Sequence, residues 1–434
     1  MRVAVIGTGI SGLAAALRLS AQHEVVTYDK SARPGGHTHT VDIAVEGITH
    51  PVDTGFLVFN DRTYPKLIAL LDELGIESAP SDMSFSVSVG PYRREWCGSS
   101  LASLFAQPAN ALRPAFWAMI RDILRFNREA TALALGLTTP GHDPLASTRL
   151  DEPLIRFLDR SGYSQAFRDE YLLPMAAAIW SCPMRTMQQF PLGTFVRFFH
   201  NHGLLAIGNR PQWMTVPGGA RRYVERILER LPDVRLGQAV EGVGRTPGAR
   251  YPLAVTAGAQ TEGFDHVVLA CHSDESLALL RDPEPDMRAV LEAIRYQPNK
   301  AWLHTDTRLM PARRKAWAAW NYLSDGKPES PEVSVTYWLN RLQPLPFETP
   351  VLVSLNPIVE PDPTQVIRTI DYAHPVFDLP AGRAQRRLPA LQGRNGLWLA
   401  GAWTGYGFHE DGLASGLAVA EAINALPRHY REAA

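Results

Sequence analysis

Cysteine is scarce in this chain: three residues in 434, Cys97, Cys182 and Cys271, lie far apart and form no C-x-x-C pair. That excludes a disulfide framework and a zinc cluster of ordinary spacing, and it points to a reducing compartment. Surplus charge is missing too. A formal net charge of -1 leaves no electrostatic footprint for a nucleic acid. Nothing approaches the roughly 18 consecutive apolar residues that span a bilayer. Met1 and Arg2 lead directly into a strand-like run, with no signal-type apolar region. The expectation is a cytoplasmic protein, with attachment to a membrane surface left open. Internal repeats and low-complexity tails are not found.

What is present begins at the N-terminus. Residues 3–6 form a short apolar run suited to a buried parallel strand, and Gly7, Gly9 and Gly12 follow as G-x-G-x-x-G before an Ala/Leu-rich helix. The first glycine permits a tight turn, the second lets the backbone approach a pyrophosphate, and the third lets the helix lie close to the strand. Free N–H groups at the helix start then face the anion. Residues 25–28 read as the next strand, which ends in Asp29, 17 residues after Gly12, where a carboxylate meets ribose hydroxyls. Losing such charge-assisted bonds costs about 1.5 to 3 kcal/mol. The charge of Asp29 also repels a 2′-phosphate, which argues against NADP. The glycines alone leave NAD and FAD open. No second fingerprint with its own acid appears, so a separate NAD(P)H-binding domain is not indicated.

Further along, residues 52–60 read as a turn and a strand, and 64–74 have helical spacing with Gly75 as the stop. Residues 85–89 alternate as a strand does. After Pro114 a helix is expected: Phe116, Trp117, Met119, Ile120, Ile123, Leu124 and Phe126 share one half of the wheel, and Arg121, Arg125 and Arg128 fall on the other. Two readings stand. It is a surface helix packed on the core, or, over residues 114–130, a helix lying on lipid with Trp117 and the arginines at headgroup level. Residues 151–206 continue as helices rich in aromatics, including Tyr171, Trp180, Phe195, Phe198 and Phe199. They form ordinary core or the wall of an elongated apolar pocket.

Pro217-Gly218-Gly219 precedes a helix over 223–231, and strands are expected from Val234 and over 240–243. The apolar run 264–271 looks like one buried parallel strand, so the chain has returned to its first domain. From Asp286 a second insertion begins. Strand-like stretches at 301–305, 316–322, 333–339 and 351–355, joined by Pro-rich connections, predict an antiparallel sheet. The end of the chain reads as a strand up to Ala400, a glycine-rich loop from Gly401, and a small-residue helix.

Four places together resemble the FAD-dependent amine oxidase and phytoene desaturase superfamily over essentially the full length. They are the fingerprint with Gly35-Gly36, the Asp53-Thr54-Gly55 segment, the Pro217-Gly218-Gly219 turn, and the block from Gly401 to Gly416. The resemblance implies an α/β fold: a discontinuous Rossmann-like FAD-binding domain (1–80, 212–280 and 388–434) with an inserted α+β substrate domain (81–211 and 281–387) holding an antiparallel sheet and a helical segment. It implies FAD contacts from Gly7, Gly9, Ser11, Gly12, Asp29 and Lys30. The second loop contributes Gly35, Gly36, His37, Thr38, Thr54 and Gly55. Val240 meets the adenine through backbone, and Gly401, Gly412, Leu413 and Ser415 close the site.

The finer pattern, Gly35-Gly36-His37-Thr38-His39-Thr40 with Asp53 to Asn60 and His409-Glu410-Asp411-Gly412, is similar to the branch related to the flavin domain fused to plant cyclopropane-fatty-acid synthases. Relatives there are associated with enzymes that methylate or cyclopropanate phospholipid acyl chains. Two departures stand out. His37 replaces the arginine usual in amine oxidases, and no cysteine near Gly401 could tether the flavin, so non-covalent FAD is implied.

Desaturation requires hydride loss to flavin and proton loss to a base. His409, Glu410, Trp403 and Tyr406 are the catalytic candidates on the loop that the resemblance sets beside the flavin, with His409 or Glu410 as base. His37, His39 and Asn60 would face it from the N-terminal side. His37-x-His39 also has metal-ligand spacing but lacks a third ligand, so no metal is expected. Lys300 sits roughly where amine oxidases keep an active-site lysine, and reads otherwise as a solvated lysine beside a strand. Three functions follow: oxidation of a lipid-linked, methyl-branched or cyclopropane-modified acyl chain; amine oxidation; or a non-catalytic FAD-binding partner of a lipid methyltransferase.

Overall fold

Val3, Ala4 and Val5 are fully buried on both faces of a strand, Arg2–Ile6, and that requires neighbours on either side. They are Glu24–Asp29 and His266–Leu269, both parallel to it. Val234–Leu236 and Leu397–Leu399 extend this to a five-stranded parallel sheet, ordered Val234–Leu236, Glu24–Asp29, Arg2–Ile6, His266–Leu269, Leu397–Leu399. The computed structural model describes residues 1–90, 94–138, 150–206, 208–326 and 334–427.

Helix Ile10–Leu19 leaves the first strand and packs against the last helix, His409–Asn424. Small residues set this contact. A Cβ on Gly12 would fall 1.9 Å from the Gly7 carbonyl oxygen, and one on Gly416 would fall 2.1 Å from that of Ser11. These two helices are thus held together behind the glycine loop.

A second sheet has seven strands, in the order Val366–Pro375, Tyr296–His304, Leu352–Leu355, Ser334–Trp338, Trp320–Ser324, Phe85–Val89, Arg94–Cys97. All pairs are antiparallel except Trp320–Ser324 with Phe85–Val89. Helices Pro114–Thr138, Leu173–Trp180 and Leu192–Asn201 cover it, burying Phe126, Ala176, Phe195 and Phe199 together with Phe167 and Phe190 from the segments between them. No helix among the described residues is long and apolar enough to cross a membrane.

Several expectations are corrected. The run 264–271 is two strands, Gln260–Phe264 ending a hairpin and His266–Leu269 in the parallel sheet, because the chain turns at Asp265. The stretch 316–322 begins as a helical turn, and only Trp320–Ser324 pairs. Residue 333 lies outside the described residues; the strand there is Ser334–Trp338. Helices Pro285–Glu292 and Leu379–Arg387, read as part of the insertion, bury Met287, Val290, Leu291 and Ala381 in one cluster with Ile6 and Leu269 of the parallel sheet. Their spacing of i, i+3, i+4 builds a single apolar stripe that fits that sheet's face.

Candidate active site

A cavity of about 650 Å³ opens at the carboxyl ends of the parallel strands and runs to the second sheet. Gly7 takes φ +109°, where only glycine is unstrained, and a Cβ there would strike the Ala270 carbonyl oxygen at 2.6 Å. A Cβ on Gly9 would meet nothing within 4 Å, so open space lies before it. Helix Ile10–Leu19 has no side-chain cap and no acid in its first turn, which leaves its amides free for an anion.

Asp29 lines this end. One of its oxygens accepts from the Thr8 amide (2.8 Å) and the Thr8 hydroxyl, and the other accepts from the Ser31 amide at 2.8 Å. It therefore fixes the glycine loop while keeping lone pairs for a ligand. Lys30 is largely exposed and paired with Glu275 at 2.5 Å. Arg33, which the sequence did not single out, donates to the carbonyls of Gly36 (2.8 Å) and Thr38 (3.0 Å) and shapes the second loop.

That loop is zipped to the next segment. The Phe56 amide donates to the His37 carbonyl at 2.9 Å, and a Cβ on Gly55 would lie 2.2 Å from the same oxygen. Thr54 donates to the His39 carbonyl at 2.9 Å. Asp53 accepts from the Ala220 amide with both oxygens, and burial raises its pKa to about 6. Gly219, at φ +88°, would carry a Cβ 2.3 Å from the Thr40 methyl, which explains the Pro217-Gly218-Gly219 turn.

The histidines lie deeper. Nε2 of His37 is enclosed without a hydrogen-bond partner, its ring 5.0 Å from Tyr372 and 5.1 Å from His374, and burial beside His374 holds it well below the usual range. His374 Nδ1 meets the Asn299 side-chain amide at 2.8 Å and burial lowers it to about 4. His409 stacks on Phe56 at 3.9 Å and joins its Nε2 to the Tyr223 hydroxyl at 2.8 Å, which in turn bonds Thr38. Burial lowers its pKa to about 3. His202 places Nδ1 3.1 Å from the Phe198 carbonyl and stacks on that residue's ring at 3.9 Å. A carbonyl only accepts, so Nδ1 carries the hydrogen and Nε2 of the neutral ring keeps a lone pair. Burial lowers this histidine to about 4.

Of the sequence candidates, Gly7, Gly9, Ser11, Asp29, Lys30, Gly35, Gly36, His37, Thr54, Gly55, Val240, Gly401, Trp403 and His409 line the cavity. The others stand behind it. Glu410 is corrected as a base: its two oxygens accept from the Lys66 and Leu67 amides at 2.9 Å each, capping helix Pro65–Leu74. Tyr406 does not reach the cavity; its carbonyl accepts from Trp180 at 3.2 Å. Asn60 closes a turn onto Arg62 and Thr63, and His39 turns to the Tyr372 hydroxyl at 3.3 Å.

Gly12, Thr38, Gly412, Leu413 and Ser415 hold the lining rather than form it. Ser415 accepts from the Gly401 amide at 2.9 Å, and Leu413 is fully buried with Ile10 and Leu13. Lys300 is exposed, its amine 4.5 Å above the Trp302 ring, so the solvated reading holds. No metal-ligating group of three is found among the described residues. Sequence reasoning missed His202, His374, Tyr372 and Phe408, which carry no spaced motif and become neighbours only across elements. The lining residues fit FAD: uncapped amides with open space at Gly9, the Asp29 carboxylate, the Val240 strand end, and an unsatisfied ring nitrogen at His37.

A family model for flavin-containing amine oxidoreductases matches residues 10–424. The Mycobacterium tuberculosis protein named flavin-containing monoamine oxidase AofH is 27% identical over 286 residues, 65% of this chain. The chain spans 59% of that relative's length. Among solved structures, the CLA-producing fatty acid isomerase from P. acnes is 15% identical with TM-score 0.67, covering 97% of this chain and 98% of that one. Cyclohexylamine oxidase from Brevibacterium oxydans is 16% identical with TM-score 0.68, covering 97% and 98%. Putrescine oxidase bound to putrescine is 16% identical with TM-score 0.68, covering 98% and 100%. At such identities the structures speak to fold alone.

Proposed function

The chain belongs to the flavin-containing amine oxidoreductase family, and from that premise we propose that this FAD-dependent oxidoreductase desaturates a lipid-linked acyl chain of the methyl-branched or cyclopropane-modified class. One observation carries the reading. Among the described residues, the charged side chains on the cavity are Asp29, Lys30, Arg33 and Glu275, all gathered where the strand Glu24–Asp29 ends. The remainder is walled by uncharged side chains, the apolar ones including Met83, Trp180, Leu204, Trp213, Leu355 and Phe408 beside neutral histidines and tyrosines. An alkyl tail gains about 0.8 kcal/mol per buried CH₂ there without a charged anchor. An ammonium group would enter without a carboxylate to meet it.

FAD would be held by the glycine loop, Asp29, Gly35, Gly36, His37 and Val240, and when bound it supplies two-electron oxidising power. The chain's own residues do the rest. Phe198, Trp213 and Phe408 enclose the tail and exclude water. His202, neutral and with a lone pair on Nε2, takes the proton from the carbon next to the one oxidised, and its Nδ1–H stays on the Phe198 carbonyl. His409 is tied to Tyr223 and stacked on Phe56, so it orients the wall and does not act as the base.

The test is mass spectrometry of phospholipids with plain, methyl-branched and cyclopropane chains after incubation with the holoprotein. A loss of two mass units on a modified chain is expected, with His202→Gln about a hundredfold slower at full flavin content. No mass change with any lipid, under oxygen and with artificial acceptors, would overturn the reading. Amine oxidation is the second reading, favoured by the aromatic walls, since Trp180, Trp213 and Tyr337 could hold a cation over their faces.

A further inference from the structure

We propose that the outer face of helix Pro114–Thr138, with the segment leading into it, docks on an anionic lipid bilayer. Every exposed residue between positions 101 and 135 is apolar except Arg121 and Arg128, and none is acidic. Leu101 is 77% exposed, Leu112 86%, and Trp117, Leu124 and Leu135 each 51%. Positions 117, 121, 124, 128 and 135 repeat at spacings of three, four and seven, so they form one stripe.

An ordinary surface helix hides its apolar half and shows a polar one. This helix hides Phe116, Met119, Phe126 and Ala130 and shows leucine and tryptophan as well. Arg125, expected on the polar half, instead lies over the Tyr163 ring at 4.0 Å. The Trp117 indole N–H is already given to the Ala111 carbonyl at 2.9 Å, so its ring can enter the headgroup boundary without stranding a donor.

Charge selects the occupant. Arginines interleaved with apolar side chains complement an anionic headgroup layer over acyl chains. A second copy placed on this face by two-fold symmetry would bring arginines and leucines to arginines and leucines, with no carboxylate to pair. The helix's opposite, buried side reaches toward the cavity wall: Phe126 sits 6.3 Å from Phe195, which sits 6.0 Å from Trp180, a lining residue, so the helix stands between the docking face and that wall. Docking would bring that wall beside a source of acyl chains, and it stands whether or not the acyl reading of the cavity holds.

The experiment is co-sedimentation of the holoprotein with phosphatidylcholine vesicles, with and without phosphatidylglycerol. Binding is expected only with phosphatidylglycerol, weakening as salt rises. The exposed variant Trp117→Ser/Leu124→Asp should bind about tenfold more weakly with unchanged flavin absorbance and melting temperature. Arg121→Glu/Arg128→Glu, which keeps the apolar stripe, should lose the preference for phosphatidylglycerol. Protein that stays in the supernatant with both vesicles, variants that bind as wild type, or a dimer in light scattering that the first variant dissociates would each overturn the proposal.

Discussion

His202, His374 and His409 each commit one ring nitrogen to a neighbour, and burial holds them at about 4, 4 and 3, below the ordinary 6.5. His39 and His304 are likewise lowered to about 4. A histidine whose folded pKa is depressed leaves the unfolded chain binding more protons, so its stabilising effect is full above pH 6.5 and is lost toward pH 4. Asp53 and Asp411, raised to about 6, act oppositely and favour the fold as pH falls from 6 toward 3.8. The histidines outnumber them. Melting temperature should therefore drop between pH 6.5 and 4.5, and a flat or rising profile would contradict the burial. Asp29 and the glycines were legible in the sequence because a local motif fixes their spacing. His202 was not, since beyond Phe198, one helical turn before it, its significance comes from Trp213 and Phe408 on other segments of the chain. Glu410 was misread because adjacency to His409 says nothing of direction: its carboxylate faces helix Pro65–Leu74.

Among elements, the contact of helix Ile10–Leu19 with His409–Asn424 depends on glycine more than on apolar bulk. Gly416→Ala would set a methyl 2.1 Å from a backbone oxygen, which cannot rotate away. The cost should be about 1 to 3 kcal/mol, typical of overpacking. Differential scanning calorimetry should show a lower melting temperature and earlier flavin release, whereas Gly47→Ala on an open turn should leave flavin release unchanged. The strand Val366–Pro375 shows where element-level reading stops. Its exposed, charged composition hid it, because an edge strand has only one paired side and its solvent-facing residues need not be apolar. Yet it delivers Tyr372 and His374 to the cavity. The parallel strands were readable for the converse reason: burial on both faces forces continuous apolar runs.

At the scale of the whole molecule, the cavity is assembled from the N-terminal loops, the aromatic helices, the far edge of the second sheet and the last loop of the chain. Fold class and cofactor could be read from sequence because the glycine motifs recur along it, while the apolar lining could not, because its walls come from segments without motifs. The central claim is that a flavin site opens onto an uncharged chamber shaped for an alkyl chain. The most direct test is anaerobic titration of the bound flavin's absorbance with a panel of modified phospholipids and amines. Bleaching by a methyl-branched or cyclopropane phospholipid, and by no amine, is the result predicted, with Lys300→Met behaving as wild type. Bleaching by amines alone, abolished in Lys300→Met, would contradict it.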